Sequence, residues 1–582
     1  MWRSDGLRLR KSNVKSFLKN AVRYCAVTLS TATLFPLVAQ TQAPTPFGAV
    51  PNARQIEWFH RERQVLLHFG MNTFTNSEWG TGSEDPSQFN PTELDCGQWA
   101  RTIKKAGFTS AILVAKHFDG FCNWPSAYTT FNVASSPWRG GKGDLVREFV
   151  DSCRAYGIKP GVFMGPGDFH SEKLGNYPTY YVNQIKEIFQ NYGKIWEMWW
   201  DGANSQNNDS ATMKMYADTI HKLQPNCVIW SDQSGKNVTA DARWIGNEGG
   251  NSGDPCWATM DMNWSNEGNG TLGGAVYCPA EVNSSIRPGW FWHASENNAV
   301  QTVDVLWNKY LKSVGHNATW TLNLPPDNRG LIGATDSMRV DSVNYLIYGT
   351  FRDNLALAAT VTTNHPRGAG YEPANLVDTA EATYYATPDN VNTDTIIVDL
   401  GEPKTFDVLM LREVIELGHR TTGWSVDYSS DNSSYTPLLT NKQSIGYKWL
   451  EKFDPVTARY VRINITGGQA CVALNTFGVF KKQMIRPPDL TAAVAPTVRH
   501  VAAPSVSIPV FGRSVQLPQS FAGKPFTAEL LDLHGRTLAV ARVDAKQALT
   551  GPRTLVAAAH CGLYLVKCTG ESGVVVRKFM AR

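Results

Sequence analysis

The sequence has few cysteines for its length and none in a metal-binding spacing. Its 582 residues include ten Cys without a CxxC pair and twelve His without an HxxxH pair. Since zinc sites use such local spacings, we expect no metal in catalysis. Nine Cys follow Cys25, an odd number that gives no regular disulfide framework. Cys561 and Cys568 are near enough in sequence to pair locally.

Neither an excess of positive charge nor a membrane-spanning run is present beyond the first residues. The formal net charge is +4, but residues 1–23 hold seven Lys or Arg against one Asp, which leaves the rest at about −2. We therefore expect no nucleic-acid partner. The apolar run 24–39 is broken by Pro36 and is shorter than the ~20 residues of a spanning helix.

This N-terminal pattern is typical of a signal peptide. A basic stretch, an apolar run and the small residues around Ala39–Ala43 occur in the order that export signals use. We therefore assign residues 1–43 to a signal peptide. The protein is predicted to be secreted, periplasmic or on the cell surface, with no membrane-spanning segment in the mature chain.

From Val65 to about Leu324 short apolar runs alternate with amphipathic stretches, which predicts repeated βα units around a parallel sheet in a domain of residues 44–357. The strand candidates are Val65–Phe69, Ser110–Ala115, Gly161–Met164, Ile195–Trp200, Val228–Ser231, Trp290–Trp292 and Trp320–Leu324. The helix candidates are Gly97–Ala106, Asp144–Tyr156, Tyr180–Tyr192, Ala211–Leu223, Val300–Val314 and Met338–Asn354. This number of units predicts a (β/α)8-like TIM barrel as the catalytic domain.

Two smaller β-rich domains are predicted after the barrel. Residues 358–483 alternate with a period of two between Gly, Asn and Pro, which is typical of a β-sandwich. Residues 484–504 form a Pro/Ala-rich linker, and residues 505–582 predict a small C-terminal β module.

The ends of the predicted barrel strands carry polar residues, and catalytic groups of such barrels lie at those ends. Asp201 follows the apolar run that ends in Trp200, and Gly202 lets the chain turn away. An ionised aspartate there suits the nucleophile of a retaining glycosidase, although a turn Asp has the same pattern. The second carboxyl group is Glu248 on a glycine-flanked loop or its rival Glu281. His68 and His117 are candidates for hydrogen bonds to sugar hydroxyls.

Eight ordered motifs between Trp58 and Asp327 resemble the family-29 glycoside hydrolases, the α-L-fucosidases. The resemblance is strongest to the subgroup that prefers α-1,3/1,4-linked fucose. The motifs are His68–Phe74, Glu78–Gly80, Phe89–Thr92, Ala115–Cys122, Gly141–Asp144, Trp200–Ala203, Ser285–Phe291 and Leu322–Asp327.

The resemblance implies double displacement without a cofactor, through Asp201 as nucleophile and Glu248 as acid/base. It implies that fucosylated oligosaccharides or glycoconjugates are the substrates. The residues implied to hold the sugar are His68, Glu78, Trp79 and His117, with Arg287 and Trp290 shaping the rim.

Two departures from the family pattern keep alternatives open. Phe118 stands where a second histidine is usual, and Gly165–Phe169 replaces a Ser-Pro-Trp-Asp-Arg motif. The alternatives are a carbohydrate-binding protein with a degenerate barrel, or a related glycosidase with altered sugar specificity.

The later domains also carry resemblances. Pro373–Asp378, Ile396–Gly401 and Ala458–Ile463 resemble the coagulation factor 5/8 type C (discoidin) module, which implies a carbohydrate-binding domain that can hold a structural calcium. Leu530–Thr537 and Gly562–Lys567 are similar to C-terminal sorting domains of bacterial type 9 secretion. A generic β module fits the tail almost as well.

Overall fold

The structure is a computed structural model that describes residues 41–201, 209–232, 240–261, 268–378 and 380–484, and four strands after residue 525. The predicted signal peptide up to residue 40, the predicted linker from residue 485 and Cys561 lie outside the described residues. Seven cysteines of the described part are buried and form no disulfide.

Eight parallel strands close into a barrel, which confirms the predicted fold. Going round the barrel from β1 the order is β1, β10, β9, β6, β5, β4, β3 and β2. These strands are β1 Arg63–Leu67, β2 Ser110–Lys116, β3 Lys159–Met164, β4 Glu197–Trp200, β5 Val228–Ser231, β6 Ala242–Trp244, β9 Ala280–Ser285 and β10 Ala318–Asn323. A separate two-stranded sheet pairs β7 Thr259–Met260 with β8 Val276–Tyr277.

One helix precedes the first barrel strand, and others follow most of the strands. They are α1 Ala53–Phe59, α2 Met71–Thr75, α3 Cys96–Lys105, α4 Leu145–Ala155, α5 Tyr177–Asn191, α6 Ser210–Leu223, α7 Val303–Lys312 and α8 Ala334–Phe351. Several begin at a side-chain cap: Asp95 accepts from the backbone of Gln98, and Asp144 from that of Arg147. Such caps stabilise a helix by about 1 kcal/mol each and fix where it begins.

The predicted strand Trp290–Trp292 is wrong, because those residues lie in the loop after β9. The strand itself, Ala280–Ser285, contains Glu281, Asn283 and two serines, and all six residues are buried. Its polar side chains find buried hydrogen-bond partners on neighbouring elements, so burial there does not require an apolar sequence.

A β-sandwich follows the barrel, as predicted. Its strands are β11 Thr360–Thr363, β12 Tyr385–Ala386, β13 Asp394–Glu413, β14 Thr421–Ser429, β15 Thr436–Lys442, β16 Trp449–Gly468 and β17 Ala473–Phe480. It contacts the barrel at the N-terminal ends of β1 and β10: Lys448 pairs with Glu62, and Asn317 Oδ1 accepts from the backbone of Tyr447 at 2.8 Å. The sandwich therefore packs away from the C-terminal mouth of the barrel.

Four C-terminal strands form an antiparallel sheet in a second compact unit. They are β18 Phe526–Leu531, β19 Thr537–Val543, β20 Gly562–Gly570 and β21 Gly573–Ala581, and their order in the sheet is β19, β18, β20, β21. The described strands agree with the predicted small β module.

Candidate active site

A cavity of about 100 Å³ opens at the C-terminal ends of the barrel strands. An apolar cavity of about 150 Å³ takes one benzene ring, so this smaller space has no room for more than one ring. Its lining side chains are His68, Glu78, Trp79, His117, Trp199, Asp201, Trp230, Asp232, Trp244, Glu248, Asn283 and Trp290. Seven of the eight residues predicted from the sequence are therefore brought together here.

Asp201 is delivered to the cavity by the end of β4, where the chain leaves the sheet. The neighbouring strand end approaches it closely, because Gly165 packs against the carbonyl oxygen of Asp201 and a Cβ there would overlap it. Gly165 thus lets the loop after β3 lie against the backbone of Asp201.

A chain of hydrogen bonds joins Glu248 to Glu78 through Trp290. The indole Nε1 of Trp290 donates to Glu248 Oε2 at 3.0 Å, and the backbone nitrogen of Trp290 donates to Glu78 Oε2 at 2.9 Å. His293 Nε2 lies 2.6 Å from Glu78 Oε1. The loop after β9 is therefore held by Glu78 and in turn holds the carboxylate of Glu248.

His68 and His117 expose different ring atoms to hydrogen bonding, because their neighbours fix opposite tautomers. Asn323 Oδ1 accepts from the backbone nitrogen of His68 and lies 2.9 Å from its Nδ1, so Nδ1 carries the proton and Nε2 is an acceptor. Asn72 Nδ2 donates to the carbonyl of Glu78 and lies 3.4 Å from His117 Nδ1, which makes Nε2 of His117 a donor.

Both imidazoles are neutral. Burial lowers the pKa of His68 to about 4, although the hydrogen bond to Asn323 opposes the shift. Burial, together with the neighbouring His68, lowers the pKa of His117 well below its usual range. A neutral pair with one acceptor and one donor can bind sugar hydroxyls without a charge.

One wall of the cavity is a stack of aromatic rings. Trp199 and Trp230 lie face to face with ring centroids 3.7 Å apart, and Phe163 stacks on Trp199 at 5.1 Å. Trp244 completes this side and donates its Nε1 to Asn283 at 2.9 Å. The wall presents apolar surface to whatever occupies the cavity.

Glu281, the rival of Glu248, lies below this wall in the barrel interior and is not among the described residues that line the cavity. Its Oε1 accepts from Trp199 Nε1 at 2.9 Å and its Oε2 from Gln64 at 3.0 Å. Burial, with the carboxyl of Glu197 close by, raises the pKa of Glu281 well above its usual range. By accepting this hydrogen bond, Glu281 holds the indole of Trp199 in position.

The prediction that Arg287 shapes the rim is wrong. Arg287 is 4% exposed, and its Nε and Nη2 bind the carboxylate of Asp336 at 2.9 and 2.7 Å. It is not among the described residues that line the cavity. Its guanidinium is used to fix helix α8, because a bidentate pair with a carboxylate satisfies both groups when they are buried.

Sequence reasoning did not select Trp199, Trp230, Trp244, Asn283 or His293 as site residues. Trp199 and Trp230 lie inside predicted strands, where an aromatic side chain is expected in the core. Trp244 and Asn283 lie on β6 and β9, which the sequence did not predict. Asp232 follows β5 and could be identified by the strand-end argument that identified Asp201.

Comparison with known proteins agrees with this geometry. Residues 46–347 match the family model of the α-L-fucosidases, and residues 358–476 match that of the F5/8 type C domain. The chain is 35% identical to α-L-fucosidase 1 of Arabidopsis thaliana over 460 residues, which cover 75% of this chain and 88% of the plant protein. The chain belongs to the α-L-fucosidase family.

Solved structures support the assignment to this family of glycoside hydrolases. A crystal structure from Bacteroides thetaiotaomicron, provisionally named an α-L-fucosidase, is 44% identical, with a TM-score of 0.74 over 76% of this chain and all of that chain. A family-29 fucosidase of Ruminococcus gnavus in complex with fucose is 30% identical, with a TM-score of 0.70 over 76% of this chain and 97% of its own.

The α-L-fucosidases hydrolyse glycosides without a cofactor, and their substrates carry fucose. In the described part of the chain no group of three or more His, Cys, Asp or Glu side chains is arranged to hold a metal ion. Calcium in the sandwich therefore stays a prediction. None of the described helices is long and apolar enough to cross a bilayer.

Proposed function

We propose that the protein is a retaining exo-α-L-fucosidase in which Asp201 is the nucleophile and Glu248 the acid/base. The observation that carries the proposal is that both carboxylates line one ring-sized cavity, together with the two neutral histidines. A cavity for one ring favours removal of a terminal fucose over cleavage within a chain.

In the first step, a carboxylate oxygen of Asp201 attacks the anomeric carbon and the bond to the leaving oxygen breaks. Glu248 gives its proton to that oxygen, so the aglycone leaves as an alcohol. In the second step, the Glu248 carboxylate takes a proton from water, which attacks the anomeric carbon and releases Asp201. Two inversions leave the product in the α configuration.

The position of Glu248 supports this role. Its side chain is exposed and lies on a loop that can reach the leaving-group side, while the hydrogen bond from Trp290 orients its carboxylate. Glu281 is buried and does not line the cavity, and burial raises its pKa well above its usual range, so it is not placed to take a proton from a water in the cavity.

For the linkage, we propose α-1,3- or α-1,4-linked fucose on branched glycans, on the strength of the subgroup motifs in the sequence. The departure at Phe118 does not weaken the sugar pocket directly, because Phe118 is not among the described side chains that line the cavity. Instead, Phe118 packs behind Trp79 with ring centroids 4.7 Å apart.

Product analysis tests the proposal. Wild-type protein is incubated with an aryl α-L-fucoside and with α-1,2-, α-1,3- and α-1,4-fucosylated oligosaccharides, and the first product is followed by proton NMR. We expect α-L-fucose from the α-1,3 and α-1,4 substrates and no release by Asp201→Asn. Initial β-fucose would contradict retention, and binding without turnover would favour a carbohydrate-binding protein.

For the other regions, we propose export of the chain and sugar binding by the sandwich. The basic and apolar pattern of residues 1–43 supports export, which N-terminal sequencing of the mature protein tests. The F5/8 type C match supports binding of galactose-like sugars, which a glycan array with full-length Asp201→Asn protein tests.

A further inference from the structure

Three aromatic rings form a continuous row that leads out of the cavity. Trp79 lines the cavity and is 60% exposed, Phe118 packs against it, and Phe169 follows with its ring centroid 5.9 Å from that of Phe118. Phe169 is 41% exposed and is not among the described residues that line the cavity. We call Trp79, Phe118 and Phe169 the aromatic ledge.

The ledge is held in place by its backbone. The backbone nitrogen of Phe169 donates to the carbonyl of Phe118 at 2.7 Å, which ties the loops after β2 and β3 together. His170 Nδ1 lies 2.7 Å from the carbonyl of Gly82, so the loop after β3 is also tied to the loop that carries Trp79. Gly82 has a φ of +79°, and a Cβ there would overlap the backbone of Phe169 and His170.

A buried ion pair lies directly beneath the ledge. Lys116 Nζ is 2.8 Å from Asp168 Oδ2, and both side chains are fully buried. These residues immediately precede the segments that carry Phe118 and Phe169. A binding surface that is fixed before the ligand arrives loses less conformational entropy on binding, so this ledge is preorganised.

What the ledge can contact follows from the size of the cavity. The cavity accommodates one ring, so the rest of any substrate has to lie outside its mouth, where Phe169 is exposed. Exposed aromatic rings beside a polar pocket bind flat apolar ligand faces, and a pyranose presents such a face through its C–H groups.

We propose that the aromatic ledge is an aglycone subsite that stacks on the apolar face of the sugar to which the fucose is attached. The inference rests on the proposed function, because it takes fucose as the ring inside the cavity. The subsite therefore favours substrates in which the leaving group is a second pyranose ring. Phe169, which departs from the family pattern, thereby extends the apolar surface of Trp79 to a second sugar ring, while the buried Phe118 supports both rings from behind.

The test compares two substrates that differ in the leaving group. α-L-Fucosyl fluoride carries no second ring and its fluoride needs no protonation, whereas fucose α-1,4-linked to N-acetylglucosamine carries the ring that the ledge binds. For each protein we take the ratio of kcat/KM for the disaccharide to kcat/KM for the fluoride. We expect Phe169→Ala to lower this ratio by about tenfold.

Two further variants keep the test specific. Phe169→Trp retains a flat ring and is expected to keep the ratio within about twofold of wild type. Tyr345→Ala removes an aromatic ring that is 53% exposed on helix α8 and is expected to leave the ratio unchanged. An unchanged ratio in Phe169→Ala, or an equal loss with both substrates, would overturn the subsite. If wild-type protein hydrolysed neither substrate, the proposed function itself would fail.

Discussion

The indole nitrogen of Trp290 donates to Glu248 at 3.0 Å, while the backbone nitrogen of the same residue donates to Glu78 at 2.9 Å. One residue thus links the proposed acid/base to the carboxylate that borders the sugar pocket. This coupling makes the orientation of Glu248 depend on the loop after β9, although Glu248 itself lies on an exposed loop.

Replacing Trp290 with Phe keeps an aromatic ring in the wall but removes the donor to Glu248. Glu248 is neutral when it acts as the acid, and a hydrogen bond between neutral groups is worth about 0.5–1.5 kcal/mol, so we expect kcat/KM for a fucosylated glycan to fall by roughly twofold to tenfold. An aryl fucoside with an acidic phenol needs less proton donation and is expected to lose less.

The neighbouring Trp292 provides the matched control. Its Nε1 donates to Asn297 at 3.2 Å, and it is not among the described residues of the cavity. We expect Trp292→Phe to behave as wild type in steady-state kinetics. Equal losses of kcat/KM in Trp290→Phe and Trp292→Phe would mean that the hydrogen bond to Glu248 does not contribute to catalysis.

Glu248→Gln is expected to lose turnover of glycans by about a hundredfold or more, because general acid–base catalysis contributes that much. Azide needs no base, so adding it should restore turnover of an aryl fucoside and yield α-L-fucosyl azide. The comparison variant is Glu281→Gln, which keeps the neutral hydrogen-bonding groups under Trp199 and should show no azide effect. If azide restored turnover only in Glu281→Gln, then Glu281 and not Glu248 would be the acid/base.

The low pKa of His68 predicts how the site responds to pH. Burial lowers this pKa from 6.5 to about 4, so the imidazole is neutral above pH 5 and its ionisation does not shape the rate profile there. Because the folded-state pKa is lowered, the free energy of unfolding falls as the pH drops from 6.5 towards 4.

Proton NMR of the imidazole tests this directly. The His68 signal, assigned by its absence in His68→Gln, is expected to keep its chemical shift between pH 5 and 8. A midpoint above pH 6 would show that His68 binds its proton more readily than its burial predicts.

Lys116 and Asp168 give a prediction about stability. Burial opposes the charge of Lys116, but Asp168 together with Tyr180, Cys122 and Tyr181 raises the pKa of Lys116 above its usual value. Asp168→Asn would leave a buried cation without its partner, which we expect to lower the free energy of unfolding by about 3–5 kcal/mol.

The exposed pair Lys105–Asp341 is the control for this prediction, since its side chains are 73% and 36% exposed. Asp341→Asn should change the free energy of unfolding by no more than about 1 kcal/mol. Chemical denaturation of both variants makes the comparison. Similar denaturation midpoints for the two variants would show that the buried pair contributes no more to stability than the exposed pair.

The sequence predicted the barrel because its strands are apolar runs that end in polar residues. Val228–Ser231 was predicted with its observed bounds, and Ser110–Lys116 differs by one residue. β6 and β9 were missed, since β6 is three residues long and β9 alternates polar groups whose partners are distant in sequence. Only the closed barrel brings those partners together.

The structure brings most of the predicted site residues to the cavity and places Arg287 elsewhere. His68 and Asp201 follow apolar runs, so their position at the mouth could be inferred from the strand-end argument. Arg287 was placed at the rim by motif matching alone, and its pairing with Asp336 depends on how helix α8 packs. His293 reaches Glu78 across more than 200 residues of chain, a contact that spacing in the sequence does not reveal.

The role of Asp201 is tested most directly by trapping the glycosyl-enzyme. A 2-deoxy-2-fluoro-α-L-fucosyl fluoride reacts in the first step but is released slowly, so the nucleophile should retain the sugar. We expect mass spectrometry of digested protein to find one fluorofucosyl group on the carboxylate of Asp201 and none in Asp201→Asn. An adduct on another carboxylate, or full turnover by Asp201→Asn, would contradict the account.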